Sequence, residues 1–193
     1  MDTFTQRIES AAATGRGDIV FLQGDEAVRV SWAQLHEEAK AMAAALQDRG
    51  VTAGDHVAII GPTTRSLVTA LQATWLAGAA TVVLPLPMRL SSIDEFIQQT
   101  RVRLRASESA ITLIDADLAG FITPQPADPP MVGFGEIEAD AGQLGAEAFR
   151  RPEDDPDRLA ILQFTSGSTD SPKGVTVLQR NLVANLDAIQ ERT

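Results

Sequence analysis

Three short apolar runs, separated by segments of helical length, constrain the fold of this chain most strongly. "DHVAIIG" (55–61), "AATVVLPL" (79–86) and "AITLID" (110–115) are nearly continuous in apolar residues, as expected of strands that are buried on both faces. The segments 64–78 and 92–107 between them have the apolar spacing of amphipathic helices. This alternation predicts an α/β fold, with a mostly parallel sheet and right-handed crossovers that place helices on both of its faces.

The residues before this pattern predict an antiparallel hairpin followed by a helix. "DIVFLQ" and "VRVSW" are strand-like and flank a turn at "GDEA". Ser31 is a suitable N-cap for a helix from Trp32 to about Asp48, and Gly50 follows the end of that helix. The later segment of about 120–157 is rich in proline and acidic residues, and predicts loops with one short strand at "MVGFGEI".

The strand pattern resumes at "RLAILQF" (158–164), which leads directly into a segment rich in hydroxyl groups. "TSGSTDSPKGV" (165–175) contains five hydroxyl side chains, two glycines and one lysine. A strand-like run at 174–178 and an amphipathic helix at 181–192 follow it. Because parallel sheets bind ligands at the C-terminal ends of their strands, segment 165–175 is predicted to lie at a ligand-binding edge.

The residue types of this segment suit a polyphosphate. Backbone N–H groups around Gly167 can form a concavity that binds anions, and the hydroxyl groups supply further donors. Lys173 adds a mobile positive charge just after Pro172, which restricts the backbone. The segment is not a Walker A loop, because the lysine of that motif begins a helix, whereas here the chain is predicted to return as a strand.

Composition excludes several classes of protein and of site. The net charge of −10 argues against a nucleic-acid partner or an anionic membrane surface, since either would need a basic face. The sequence has no cysteine, so a disulfide framework, a thiolate metal site and a cysteine nucleophile are excluded within this chain. No apolar run has the length of a membrane span and the first residues lack a signal-peptide core, which predicts a cytoplasmic protein without membrane insertion.

With these residues in view, "FTSGSTDSPKGV" resembles the phosphate-loop signature of the adenylate-forming superfamily. That superfamily comprises acyl-CoA synthetases, fatty acyl-AMP ligases, luciferases and the adenylation domains of peptide synthetases. The resemblance extends through "VSWAQLHEEAKAMAAALQDRGVTAGDHVAIIGP" and "ALQATWLAGAATVVLPLP", and so covers almost the whole chain. "LQFTSGST", "LPLPMR" and Asp170, where glycine is commoner, are most like a bacterial fatty acyl-AMP ligase.

The resemblance implies a reaction in two steps. A fatty acid attacks the α-phosphate of ATP to give acyl-adenylate and pyrophosphate, and the acyl group then passes to the phosphopantetheine thiol of an acyl carrier protein, or to CoA. It implies ATP and Mg²⁺ as cofactors, a catalytic role for Lys173, and a position near the metal for Thr169. The residues implied to contact the phosphates are Thr165, Ser166, Gly167, Ser168, Thr169 and Lys173.

The resemblance also implies that residues 1–193 form only the N-terminal part of the large adenylation domain. The family's metal-binding glutamate, its ribose-binding aspartate and its small C-terminal domain with a catalytic lysine have no counterpart in this sequence. We therefore expect this chain to need the missing C-terminal part as a partner and to be inactive alone. Two alternatives remain open: a fatty acyl-CoA synthetase, and a non-catalytic nucleotide-binding or interaction module of the same fold.

Overall fold

The computed structural model describes residues 2–24, 26–87, 92–165 and 172–192, and contains a two-stranded hairpin and a six-stranded sheet. The strands are β1 (Asp18–Gln23), β2 (Glu26–Ser31), β3 (His56–Ile60), β4 (Ala80–Val83), β5 (Ile111–Ile114), β6 (Met131–Gly133), β7 (Leu159–Thr165) and β8 (Lys173–Leu178). The helices are α1 (Phe4–Ala13), α2 (Trp32–Asp48), α3 (Arg65–Leu76), α4 (Ile93–Ala106), α5 (Ala116–Ala119), α6 (Phe134–Leu144) and α7 (Gln179–Gln190), with a 3-10 turn at Ala146–Ala148. Among the helices described, none combines the length and the apolar character that a bilayer span requires.

The six-stranded sheet is parallel except at one end. Its strand order is β6-β5-β3-β4-β7-β8. Strand β3 pairs in parallel with β4 and β5, β6 joins β5 in parallel, and β7 joins β4 in parallel. Only β8 is antiparallel to its neighbour β7 among the strands described. The predicted α/β fold with a mostly parallel sheet is therefore confirmed, as is the early hairpin of β1 and β2.

The central strand β3 contributes side chains to both faces of the sheet. Val57 and Ile59 belong to a cluster that includes apolar residues of α2, α3 and α6. Ala58 and Ile60 belong to a second cluster on the opposite face, which includes Phe96 and other apolar residues. Since successive side chains of a strand point to opposite faces, a continuous apolar run is what a strand covered on both faces requires.

The prediction that segment 120–157 consists of loops with one short strand is wrong for its central part. The short strand β6 is present, but it leads into α6, an eleven-residue helix. Phe134, Ile137 and Ala141 of α6 are buried in the first cluster at helical spacing. The proline-rich and acidic residues flank this helix and obscured its periodicity in the composition of the whole segment.

A further element that the sequence interpretation missed is the N-terminal helix α1. Thr3 and Gln6 form a capping box: the Thr3 hydroxyl accepts from the Gln6 amide, and the Gln6 side chain accepts from the Thr3 amide. The Phe4 ring of α1 packs edge-to-face on Trp75 of α3, with ring centroids 4.9 Å apart. Helix α1 therefore contacts the end of α3 that leads into β4.

Candidate functional site

The antiparallel pair of β7 and β8 brings two of the predicted site residues together. Thr165 is the last residue of β7, Lys173 is the first of β8, and the two are directly opposite in the strand register. The Thr165 hydroxyl lies 3.4 Å from the Lys173 carbonyl oxygen and donates to it. Side chains of directly opposite residues lie on the same face of an antiparallel pair. A hydroxyl and an ammonium group, both on exposed residues, therefore share one face of the hairpin.

The other predicted phosphate contacts, Ser166, Gly167, Ser168 and Thr169, lie outside the described residues. Their contacts with phosphate stay predictions, as does the placement of Thr169 near a metal. The described residues alone do not form a carboxylate or histidine site for Mg²⁺, because they contain no group of three or more such side chains close enough to hold an ion.

The opposite face of the β7–β8 pair carries apolar side chains, and Gly174 lies close to one of them. Gly174 is opposite Phe164 in the register. A Cβ atom added at Gly174 would lie 2.8 Å from the Leu162 Cδ1 atom, closer than real Cβ contacts allow. Leu162 and Phe164 pack against the second cluster, beside α4 and β3. The sequence interpretation placed this glycine in the hydroxyl-rich segment and at the start of a strand-like run, and the structure adds its close approach to Leu162.

The site lies at the edge where the parallel strands end. Strand β4 is the parallel neighbour of β7, and two apolar residues at its C-terminal end, Val83 and Leu86, are 45% and 38% exposed. Gly61 follows β3 at the same edge, and a Cβ there would lie 2.7 Å from the Phe134 ring. Thr165 and Lys173 therefore stand beside accessible apolar surface, an arrangement compatible with a ligand that has an anionic and an apolar part.

Two cavities of the molecule lie away from this hairpin. A groove of about 650 Å³ is lined mainly by apolar side chains of α1, α2, α3 and α7. A smaller one of about 360 Å³ lies between α2, α3 and α6. Neither Thr165 nor Lys173 lines either cavity. The candidate site, as far as its residues are described, is an open edge of the sheet.

The family of AMP-binding enzymes matches residues 8–193. A Caulobacter vibrioides protein provisionally named an acyl-CoA synthetase is 30% identical over 188 residues, covering 97% of this chain and 32% of the relative. Phenyloxazoline synthase MbtB from Mycolicibacterium paratuberculosis is 34% identical over 148 residues, covering 77% of this chain and 12% of that protein. The chain thus spans about a third of the length of the first of these relatives.

Solved structures show the same architecture. A fatty acyl-adenylate ligase from L. pneumophila, in complex with acyl adenylate and pyrophosphate, superposes with a TM-score of 0.82 at 26% identity, over 96% of this chain and 32% of that one. The structure of McyG A-PCP complexed with phenylalanyl-adenylate gives a TM-score of 0.84 at 21% identity, over 100% of this chain and 31% of that one. The second likeness concerns the fold alone.

Proposed function

Because the chain belongs to the AMP-binding enzyme family, we propose that the protein is an ATP-dependent ligase that activates a fatty acid as its acyl-adenylate. The observation that carries the proposal is the position of Thr165 and Lys173, opposite each other where β7 ends. There the hydroxyl and the ammonium group can contact phosphate, the anionic part of the substrate. We further propose residues 1–193 as the N-terminal part of the large adenylation domain.

In this proposal the protein stabilises the charge that develops on the departing pyrophosphate. In this proposal Lys173, the first residue of β8, would contact the β- and γ-phosphates with its ammonium group and offset the charge that develops there as the bond breaks. The hydroxyl group of Thr165 and the residues Ser166, Gly167, Ser168 and Thr169 supply further donors. Mg²⁺, when bound, neutralises phosphate charge, and Thr169 is the residue that we propose near it.

We propose an acyl carrier protein as the acceptor of the acyl group, and CoA as the alternative. The likeness to the fatty acyl-adenylate ligase of L. pneumophila, in complex with acyl adenylate and pyrophosphate, supports the adenylation step that precedes either transfer. The C. vibrioides relative, provisionally named an acyl-CoA synthetase, supports the second. The residues that motivate the first choice in this chain are the "LQFTSGST" entry and Asp170.

The role of Lys173 is tested by pyrophosphate exchange in the complete gene product. Removing one preorganised charge contact costs about 2 to 4 kcal/mol at the transition state, so Lys173→Ala should slow exchange by about thirtyfold to several-hundredfold. Lys40→Ala is the matched control, since Lys40 is the other lysine of the sequence and lies in α2, paired with Glu37 at 3.0 Å. That variant should stay close to the wild-type rate.

A rate of pyrophosphate exchange for Lys173→Ala within about threefold of the wild-type rate would contradict the assignment of Lys173 to the phosphate site. The reaction itself is tested by incubating the wild-type protein with ATP, Mg²⁺ and fatty acids of graded length. Release of acyl-adenylate in the presence of CoA supports the carrier-protein acceptor, and efficient formation of acyl-CoA supports the synthetase. Failure to form acyl-adenylate from any fatty acid would favour the non-catalytic module.

A further inference from the structure

The carbonyl oxygen of Ala160, near the start of β7, accepts hydrogen bonds from two side chains of the neighbouring elements. The indole Nε1 of Trp75, at the end of α3, donates to it at 2.9 Å. The hydroxyl of Thr81, in β4, donates to the same oxygen at 3.3 Å. Ala160 and Thr81 are buried, at 0% and 1% exposed. Because no water reaches these residues, the two donors decide where this carbonyl points.

Ala160 is the extra residue of a β-bulge. Leu159 is opposite Leu178, but Ile161 is opposite Val177, so two residues of β7 advance against one residue of β8. The register shift lies next to the Ala160 carbonyl, which the Trp75 and Thr81 side chains hold from the side of α3 and β4. The bulge and its two donors thus form one local structure at the base of the hairpin.

This bulge sets which side chains face each other at the candidate site. Beyond it, the register runs without interruption to the pair of Thr165 and Lys173. If the register of Leu159 and Leu178 continued without the extra residue, Phe164 would stand opposite Lys173 instead of Thr165. A shift of one residue moves every side chain of a strand to the other face. Since β4 pairs with β7 at Thr81 and Ile161, β8 would be the strand that turns, and Lys173 would move to the face of Phe164.

We propose that Trp75 is a positioning residue for the opposed pair of Thr165 and Lys173, acting through its hydrogen bond to Ala160. The indole N–H stabilises the bulge, and the bulge places the Thr165 hydroxyl and the Lys173 ammonium group on one face. Helix α1 holds the indole in place: Phe4 packs edge-to-face on its ring, and the Thr5 hydroxyl donates to the Trp75 carbonyl at 3.4 Å. The proposal rests on the proposed function only in treating Thr165 and Lys173 as phosphate contacts.

The hydrogen bond can be observed directly by NMR in this 193-residue chain, which has two tryptophans and therefore two indole N–H signals. The signals are assigned with Trp75→Phe and Trp32→Phe. Trp32 is a natural control, because it lies at the start of α2 and is 38% exposed. The Trp75 signal should exchange with solvent at least tenfold more slowly than that of Trp32, as expected for a donor in a buried hydrogen bond. Equal exchange rates would overturn the proposal.

The positioning role is tested by the register of the hairpin. In the wild type, the nuclear Overhauser effects should connect the backbone of Thr165 with that of Lys173. Trp75→Phe keeps an aromatic ring against Phe4 but removes the donor, and Thr81→Val removes the second donor with little change of shape. In Trp75→Phe the amides of β8 should exchange about tenfold faster, while those of β3 keep their rates. In the double variant, contacts between Phe164 and Lys173 should appear.

The Trp75 and Thr81 side chains donate to the same acceptor, so the effects of removing them on the hydrogen exchange of the β8 amides should not be additive. Additive effects with an unchanged register would show that Trp75 only packs, and would overturn the proposal. In the complete gene product, Trp75→Phe should lower kcat in pyrophosphate exchange more than it raises the KM for ATP, because Lys173 acts at the transition state in the proposed function, while Trp32→Phe changes neither. Absence of exchange in the wild type would contradict the proposed function, whereas the NMR register would still decide the role of Trp75.

Discussion

The inner strands β3 and β5 and the edge strand β8 of the six-stranded sheet differ in how completely they are covered. At the β3 and β5 side, Val57, Ala58, Ile59 and Ile60 are all 0% exposed, and every residue of β5 is buried. In β8, the first four residues are exposed and the last two are half-buried. Strand β3 has a strand on each side and packed residues on both faces, whereas β8 has one described neighbour, β7. The same fold thus provides a stable interior and an accessible strand.

The connecting segments differ in the same way. At the β5 side, the fully buried Asp128 carboxylate accepts from Arg101 at 3.2 Å and from Arg105 at 3.0 Å. At the β7 end, Arg180 pairs with Asp157, and these side chains are 51% and 62% exposed. Exposed pairs are weakened by solvent and salt, whereas buried ones resist both. The covered region around β3 and β5 therefore stabilises the molecule, whereas the exposed β8 edge leaves Thr165 and Lys173 accessible.

The largest difference in the free energy of unfolding is expected between variants that break these two ion pairs. Asp128→Asn should lower the free energy of unfolding by about 3 kcal/mol, the low end for a broken buried pair, because Arg101 stays buried without its charge partner. Asp157→Asn, the matched change at the open end, should cost less than about 1 kcal/mol. Urea denaturation measures both values. Equal losses would show that the two ends are stabilised alike.

The same aspartate should make stability depend on pH. Burial by itself would raise the pKa of Asp128, but hydrogen bonds from Arg105, the Gln125 amide and Arg101 outweigh it and hold the pKa below its ordinary value. The stabilisation is therefore fully present above the ordinary aspartate pKa and is lost as the pH falls through the lowered one. Asp128→Asn should flatten this acid dependence.

A smaller difference in stability is expected when two methyl groups are removed from the inner strand β3 and from the edge strand β8. Val57→Ala should lower the free energy of unfolding by about 2 to 3 kcal/mol, since it leaves a cavity beside residues that are themselves fully buried. Val175→Ala in β8 should change it by less than about 0.5 kcal/mol, because that side chain is 48% exposed. Thermal unfolding followed by circular dichroism distinguishes the two. A loss above 1.5 kcal/mol for Val175→Ala would mean that β8 is covered in solution.

The smallest difference in stability is expected between alanine variants of two glycines, Gly61 and Gly174, whose added Cβ atoms would meet neighbours at similar distances. Gly61→Ala would push a Cβ to 2.7 Å from the buried Phe134 ring, which cannot move without disturbing the first cluster. We expect a loss of about 1.5 kcal/mol. Gly174→Ala meets the end of the Leu162 side chain at 2.8 Å, and that half-buried group can rotate away. Its effect should stay within about 0.5 kcal/mol, as measured by denaturant titration. A larger loss at Gly174 would reverse the comparison.

Much of the fold could be predicted because its signals are local. The strands β3, β4 and β5 were predicted to within a few residues, since burial on both faces produces a continuous apolar run. Helix α2 followed from its periodicity and from Ser31, whose hydroxyl does accept from the Gln34 amide at 3.1 Å. Helix α1 was missed although Thr3 and Gln6 carry a capping-box signal in the sequence.

The candidate site could be predicted only in part. The hydroxyl-rich segment, its lysine and its place after a buried strand were evident from the sequence. The extra residue in β7 was not, because a bulge depends on which strand lies opposite and on donors from elsewhere in the chain. The close approach of Leu162 to Gly174 was hidden for the same reason. The register shift decides which residues of β7 and β8 stand opposite each other without changing their spacing along the chain.

The sequence by itself determined the alternation of strands and helices, the family resemblance and the residue types of the phosphate segment. Tertiary structure decided the strand order β6-β5-β3-β4-β7-β8, the burial of Asp128 between two arginines, and the pairing of Thr165 with Lys173. The physical reason is the distance along the chain between the residues that interact. Periodicity and capping act between residues a few positions apart, whereas the Trp75 indole reaches a carbonyl 85 residues away. Such contacts form only when the whole sheet and its covering helices are packed together.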